Sequence, residues 1–204
     1  MLQVKNLTVS RGGVPILERV SFELASGCAL VLRGPNGSGK TTLLRTIAGL
    51  QTSQTGEVIT AEDSLAYAGH ADGLKANLTV RENLQFWADI FGATDIQPAL
   101  EQFDIVALSE RPAHALSAGQ KRRLGLARLI LTGRSVWILD EPTVSLDAAS
   151  TAMFAQAVQT HLGAGGSAIL ATHIDLGFDA EVLDVSVFKA DVNAAHSAFD
   201  EGFL

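Results

Sequence analysis

Apolar residues fall into distinct rhythms along this chain. Leu2 and Val4, then Leu7 and Val9, alternate with polar neighbours, as do Val20, Phe22 and Leu24. Such alternation predicts half-buried strands, with Gly12-Gly13 as the turn between them. Positions 28–33, Cys-Ala-Leu-Val-Leu-Arg, form a nearly continuous apolar run, the pattern of a strand covered on both faces. Strand character returns over 135–140 and 167–172. A helical rhythm occupies 40–50, where Leu43, Ile47 and Leu50 share one face. Thr79-Val-Arg-Glu82 reads as a capping box that opens a second helix, with Leu84, Trp87, Ala88 and Phe91 as its core-facing stripe. A further helix is predicted over 96–108. Another is capped at 117–120 and runs through Leu124, Ala127, Ile130 and Leu131 to a stop at Gly133. A last one spans about 150–162. The sum is a single α/β domain over 1–204. Its core, about 1–70 and 135–204, is interrupted by a helical insertion at about 71–134. The tail from 189 to 204 is weakly patterned, and there is no internal repeat.

Composition narrows the class. A chain of 204 residues can bury a core without staples. At 47% hydrophobic and 18% charged it is too apolar for disorder. A formal net charge of -7 speaks against a nucleic-acid partner. The single cysteine, Cys28, cannot form an internal disulfide, which suits a reducing cytosol, and its apolar context predicts an inert packed thiol. The first residues lack a signal-peptide core, and no run reaches the ~18 to 20 apolar residues of a spanning helix. The expectation is a chain that does not cross a membrane and acts on one only through a partner. Trp137 reads as core, and His114, His161 and His196 as surface residues.

Chemistry concentrates in two places. Gly34-Pro35-Asn36-Gly37-Ser38-Gly39-Lys40-Thr41, followed by Thr42, lies between a predicted strand and a predicted helix. Glycines at that spacing let backbone N–H groups surround phosphate oxygens, and the helix N-terminus adds positive potential. Lys40 supplies a point charge for the β- and γ-phosphates, and the Thr41 hydroxyl suits Mg²⁺, a hard cation that prefers oxygen. The apolar strand Val136-Trp-Ile-Leu then delivers Asp140 and Glu141 to its C-terminal end, where α/β sheets bind ligands. Asp140 is the candidate Mg²⁺ ligand, through water, and Glu141 the candidate general base.

Leu116-Ser117-Ala118-Gly119-Gln120 stands at a helix start, and with it the chain resembles the ATP-binding domain of ABC transporters over essentially its whole length. The family signature is LSGGQ, so Ala118 replaces a glycine. The resemblance implies a P-loop NTPase core, RecA-like, with an antiparallel β-subdomain and a helical insertion. It implies ATP and Mg²⁺ as cofactors and a head-to-tail homodimer of ATP-binding subunits, in which Ser117 and Gly119 meet the partner's γ-phosphate. Ser145-Leu146-Asp147 resembles the dimer-contacting D-loop. His173, after 171–172, resembles the switch histidine that would bond the γ-phosphate and hold Glu141 and water in place. Two departures stand out. Arg11 occupies the position of an adenine-stacking aromatic, and a planar guanidinium can stack on a base. His70 occupies the position of a catalytic-site glutamine, where an imidazole can orient water or sense a membrane partner. Gly69-His70, the segment 78–84, LSAGQKRR from Leu116 and the short length together resemble the ATP-binding proteins of the cytochrome c biogenesis haem exporter. That resemblance implies integral membrane haem-exporter subunits as partners, no nucleic acid, and peripheral attachment to the cytoplasmic face of the bacterial inner membrane. Two rival classes are a soluble ABC ATPase acting on ribosomes or DNA, and a non-hydrolysing nucleotide switch. The acidic chain without a long coiled-coil insertion argues against the first. Lys40, Asp140, Glu141 and His173 argue against the second.

Overall fold

The computed structural model describes residues 1–191; His196 and most of the tail lie outside them. Two sheets form the β-structure of these residues. The first is antiparallel and has the order β2-β1-β4, from β1 (Leu2–Arg11), β2 (Val14–Leu24) and β4 (Thr55–Ile59). Gly12 and Gly13, at φ 59° and 84°, make the tight turn between β1 and β2. Within β1 the buried set passes from even positions (Leu2, Val4) to odd ones (Leu7, Val9). Strict period two would send these pairs to opposite faces. The ladder instead shifts register between Val4 and Leu7, and Asn6 turns to φ 47°. One bulge thus returns both pairs to the core. Gly56 on β4 crosses this bulge so closely that a Cβ there would lie 2.4 Å from the Asn6 carbonyl oxygen.

The second sheet is parallel, in the order β5-β6-β7-β3-β8. Its members are β3 (Ala29–Arg33), β5 (Leu65–Ala68), β6 (Val136–Asp140), β7 (Ser167–Ala171) and β8 (Glu181–Asp184). Period two explains why the central runs are apolar throughout. Leu30, Leu32, Val136, Ile138 and Ile169 pack with the antiparallel sheet and with α1 (Lys40–Ile47). Their neighbours Val31, Trp137, Leu139, Ala168 and Leu170 pack on the opposite face. There they meet α2 (Val80–Phe91), α3 (Gln97–Gln102), α4 (Ala118–Leu131) and α5 (Ala148–Gly163). The result is a parallel core that carries an antiparallel β-subdomain, with helices α2, α3 and α4 inserted between β5 and β6.

Several elements differ from the sequence expectation. The helix over 40–50 stops at Ile47, because Gly49 takes φ 73°, and Leu50 is left exposed. The helix expected over 96–108 divides into α3 and a 3₁₀ turn at Val106–Leu108, with Asp104 at φ 48° between them. Strands β4 and β8 went unpredicted. Both are sheet edges whose residues are mostly exposed, so no apolar rhythm marks them. His161 is not a surface residue. It is half-buried and stacks on Trp137 with ring centroids 4.0 Å apart and an 8° interplanar angle. Burial lowers its pKa, so the ring stays neutral. Cys28 is partly buried against the core, as expected, and Trp137 is buried. Trp87 also packs against the core, stacked on Phe91.

Candidate active site

Sheet topology gathers the chemistry at one edge. Strands β6, β7 and β3 are parallel neighbours, so the segments following them emerge side by side. These are the glycine-rich loop after β3, the Asp140-Glu141 pair at the end of β6, and His173 just beyond β7. The loop then needs left-handed backbone to wrap an anion. Gly37 and Gly39 supply it at φ 81° and 101°, and a Cβ on Gly39 would also come within 3.1 Å of Leu17. Gly39 is the N-cap of α1 and provides no side-chain cap.

Lys40 is buried and turned onto its own loop, its Nζ donating to the carbonyls of Gly34 at 2.7 Å and Pro35 at 3.1 Å. Ser38 Oγ is buried without a hydrogen-bond partner, an open donor inside the loop. Thr41 Oγ1 donates to Asp140 Oδ1 at 3.1 Å. Asp140 is only 4% exposed, and its other oxygen accepts from the Tyr67 hydroxyl at 3.4 Å. Burial, and then the Asp140 charge, push the Tyr67 pKa up to about 12. The phenol therefore keeps its proton and can serve Asp140 only as a donor. No motif or spacing in the sequence marks Tyr67, the only tyrosine of the chain. It sits on β5, which pairs with β6, and only that pairing brings it to Asp140.

A cavity of about 500 Å³ opens beside these groups, within the size range of small-molecule sites. Arg11, Ile16, Asn36, Gly37, Gly39, Lys40, Thr41, Thr42, Asp140 and Glu141 all line it. Arg45 and Gln51, which the sequence did not flag, line it too, and no aromatic side chain among the described residues does. The expected Arg11 position next to the nucleotide loop is thus occupied by an exposed guanidinium at the cavity wall. Glu141 adopts φ 48°, a left-handed turn for a carboxylate residue, held by its N–H donating to the Ala171 carbonyl at 2.9 Å. Its Oε1 lies 3.6 Å from His173 Nε2.

Other sequence-flagged residues stand apart from this cavity. His70 is exposed on the loop after β5 and does not line it. Neither do Leu116, Ser117, Ala118, Gly119 and Gln120, nor Ser145, Leu146 and Asp147. Ser117 is the N-cap of α4 in a complete capping box: its Oγ accepts from Gln120 N–H, and the Gln120 side chain accepts from Ser117 N–H at 2.9 Å. A hydroxyl that accepts in this way keeps its own proton to donate outward. Gly119 packs on the segment that follows β6, where a Cβ would lie 3.0 Å from the Ser145 carbonyl oxygen. Asp147 caps α5, accepting from Ser150 N–H at 2.8 Å. No helix among the described residues is long and apolar enough to cross a membrane.

Fold and site together define an ABC-type ATPase, and residues 17–144 match the ABC transporter family. The Roseobacter denitrificans protein named "Cytochrome c biogenesis ATP-binding export protein CcmA" is 62% identical over all of this chain and 99% of its own length. A Brucella abortus (strain 2308) protein of the same name is 44% identical over 89% of each chain. Among solved structures, a putative ABC transporter ATP-binding protein from Pyrococcus furiosus superposes with a TM-score of 0.83 at 25% identity. That superposition covers 93% of this chain and 99% of the other. The chain belongs to the ABC transporter family and, within it, to the cytochrome c biogenesis ATP-binding export proteins. It binds ATP and is the ATP-hydrolysing subunit that works with membrane subunits of an export system.

Proposed function

We propose that this subunit binds Mg-ATP between two copies of itself and uses hydrolysis to drive the haem exporter of cytochrome c biogenesis, moving haem or releasing a haem-loaded chaperone. One observation carries the dimer: the signature segment 116–120 does not line the chain's own nucleotide cavity. Small residues at a helix N-terminus are suited to an anion, so the anion they serve is held by another copy. In each half-site the loop 34–39 and Lys40 hold the phosphates, and Thr42 and Arg11 border the nucleotide. Thr41 and Asp140, already joined by a hydrogen bond, are oxygen donors that would hold Mg²⁺, a hard cation that prefers oxygen. Bound Mg²⁺ would neutralise charge on the transferring phosphoryl group. Glu141 takes the proton of the attacking water, and His173 orients Glu141 and bonds the γ-phosphate. Ser117 and Gly119 of the second copy complete the donors, and the D-loop 145–147 lies at the contact. His70 rides on the loop that faces the membrane subunits, and the insertion at about 71–134 moves as a unit beside it. Attachment is peripheral, at the cytoplasmic face of the inner membrane.

Glu141→Gln tests the core of this reading. The variant is expected to bind ATP and accumulate as a nucleotide-bound dimer, with turnover lowered by about 10² or more. Wild-type turnover in the purified complex would exclude Glu141 as the base. The cargo is tested in the organism. A strain lacking this chain is expected to lose c-type cytochromes while keeping other haem proteins, and normal holo-cytochrome c would overturn the haem assignment.

A further inference from the structure

Arg122 lies early in α4, just after the signature residues, and is only 4% exposed. Its guanidinium makes four hydrogen bonds, none of them to its own helix. Nε donates to the Pro142 carbonyl at 2.9 Å and Nη2 to the Glu141 carbonyl at 2.8 Å. Nη1 donates to the Gly69 carbonyl at 2.8 Å and to Asp72 Oδ1 at 3.0 Å. One side chain thus joins three segments: the signature helix, the turn that carries Glu141, and the loop that carries His70. A buried charge is costly unless it is fully paired, so an apolar side chain would serve packing alone as well or better. The contact is close along the helix. A Cβ on Gly125 would lie 2.8 Å from Asp72 Cβ. Arg128, six residues on, donates to the Tyr67 carbonyl at 3.2 Å and lies 5.1 Å above the Trp87 ring.

The geometry points to Arg122 as a positioning residue for hydrolysis, which sets the Glu141 turn and the 69–72 loop by the placement of the signature helix. This inference rests on Glu141 being the base. Glu141 already occupies a left-handed turn, so its carboxylate direction depends on what holds its backbone. Arg122 holds the carbonyls of Glu141 and Pro142 directly, and a displacement of α4 therefore reaches the base and the His70 loop together. Lysine cannot substitute. Its donors radiate from one nitrogen and cannot span carbonyls on two loops as a planar fork does.

The test uses the complex isolated from membranes through a tag on this chain, comparing wild type with Arg122→Lys, Asp72→Ala and Glu141→Gln. Arg122→Lys is expected to lower kcat about 10- to 100-fold, the scale of small misplacements of a reacting group. KM for ATP should stay within about threefold, since binding groups are untouched, while the melting temperature should fall, because buried carbonyls lose their donors. Asp72→Ala frees only the loop arm and is expected to give a smaller fall in kcat, again with KM held. An unchanged kcat in Arg122→Lys overturns the inference. So does a fall in kcat, ATP affinity and melting temperature together, which would mark a merely structural clamp. If Arg122→Lys does not fold, Asp72→Ala decides, and wild-type kcat there overturns the inference. Turnover retained by Glu141→Gln removes the base reading and this inference with it. Turnover lost in Glu141→Gln but kept in Arg122→Lys removes this inference alone.

Discussion

Helices α1 and α4 both begin at segments whose sequence suits an anion, but the two N-termini are built in opposite ways. At α1 the N-cap is Gly39, left-handed and without a side chain to offer, and the first N–H groups are left for a ligand. Lys40 meanwhile folds onto loop carbonyls at 2.7 and 3.1 Å. At α4 the N-cap is Ser117, and a reciprocal capping box satisfies both Gln120 N–H and Ser117 N–H from within the helix. The first terminus borders the cavity of about 500 Å³, and the second does not line it. An open terminus can bind its anion within one chain. A self-capped terminus has only its remaining N–H groups and one hydroxyl proton to give, which suits a contact made late and reversibly, when a second surface arrives.

That difference can be broken first at α1. Lys40→Ala is expected to weaken ATP binding about 10- to 100-fold, the loss of a hydrogen bond to a charged group at about 1.5 to 3 kcal/mol. Calorimetry in Mg²⁺ checks it, and an unchanged dissociation constant would sink the phosphate-loop assignment. Arg11 tests the far wall of the same cavity. Its alanine variant should lose about 0.5 to 2 kcal/mol of ATP affinity, and Arg11→Tyr should recover it, if a planar group stacks on the base there. A nucleotide-bound structure with Arg11 turned to solvent would remove that role.

At α4 the prediction reverses. Ser117→Ala should leave ATP affinity of the isolated chain unchanged, because Ser117 does not line that cavity. The lost cap should cost about 1 kcal/mol of stability, or roughly 2 to 4 °C in melting temperature for a chain of this size. Turnover in the complex should fall as well. Weaker ATP binding by isolated Ser117→Ala would erase the contrast between the two termini.

The smallest effect sharpens the comparison at a third terminus. Asp147 caps α5 with a carboxylate, and the Ser150 N–H holds its pKa below the ordinary carboxylate range. A lowered folded-state pKa gives stability that is present above the ordinary value and is lost as pH falls through the lowered one. Asp147→Asn keeps a cap acceptor and removes the titration. Its melting temperature should therefore lie slightly below wild type near neutrality, and the gap should close on acidification into that range. Parallel pH curves for the two proteins would exclude the carboxylate cap as a source of acid sensitivity.

Much of the site was legible because its chemistry fixes residue type and spacing together. A phosphate nest needs glycines around a lysine, and a metal-binding carboxylate needs a rigid strand beneath it, so 34–42 and Asp140-Glu141 could be singled out as candidates, and the structure brings residues from both to one cavity. His173 was placed by its position after the last apolar run. His70 was flagged by its place in a motif, yet it stands exposed outside the cavity. No spacing rule reveals how a loop folds back.

The alternating and continuous apolar runs, the two capping boxes and the Gly12-Gly13 turn were all legible along the chain, as was the order of the chemical groups. Each of these rests on interactions within a few residues or on a face repeated at a fixed period. Strand pairing and helix placement, by contrast, bring Tyr67 to Asp140, stack Trp137 on His161, and let one buried guanidinium join residues 69, 72, 141 and 142. Those contacts link residues far apart in the chain whose types fit many other surroundings. They follow from which strands pair and where α4 lies across the sheet edge, and a pattern read along one dimension does not contain that information.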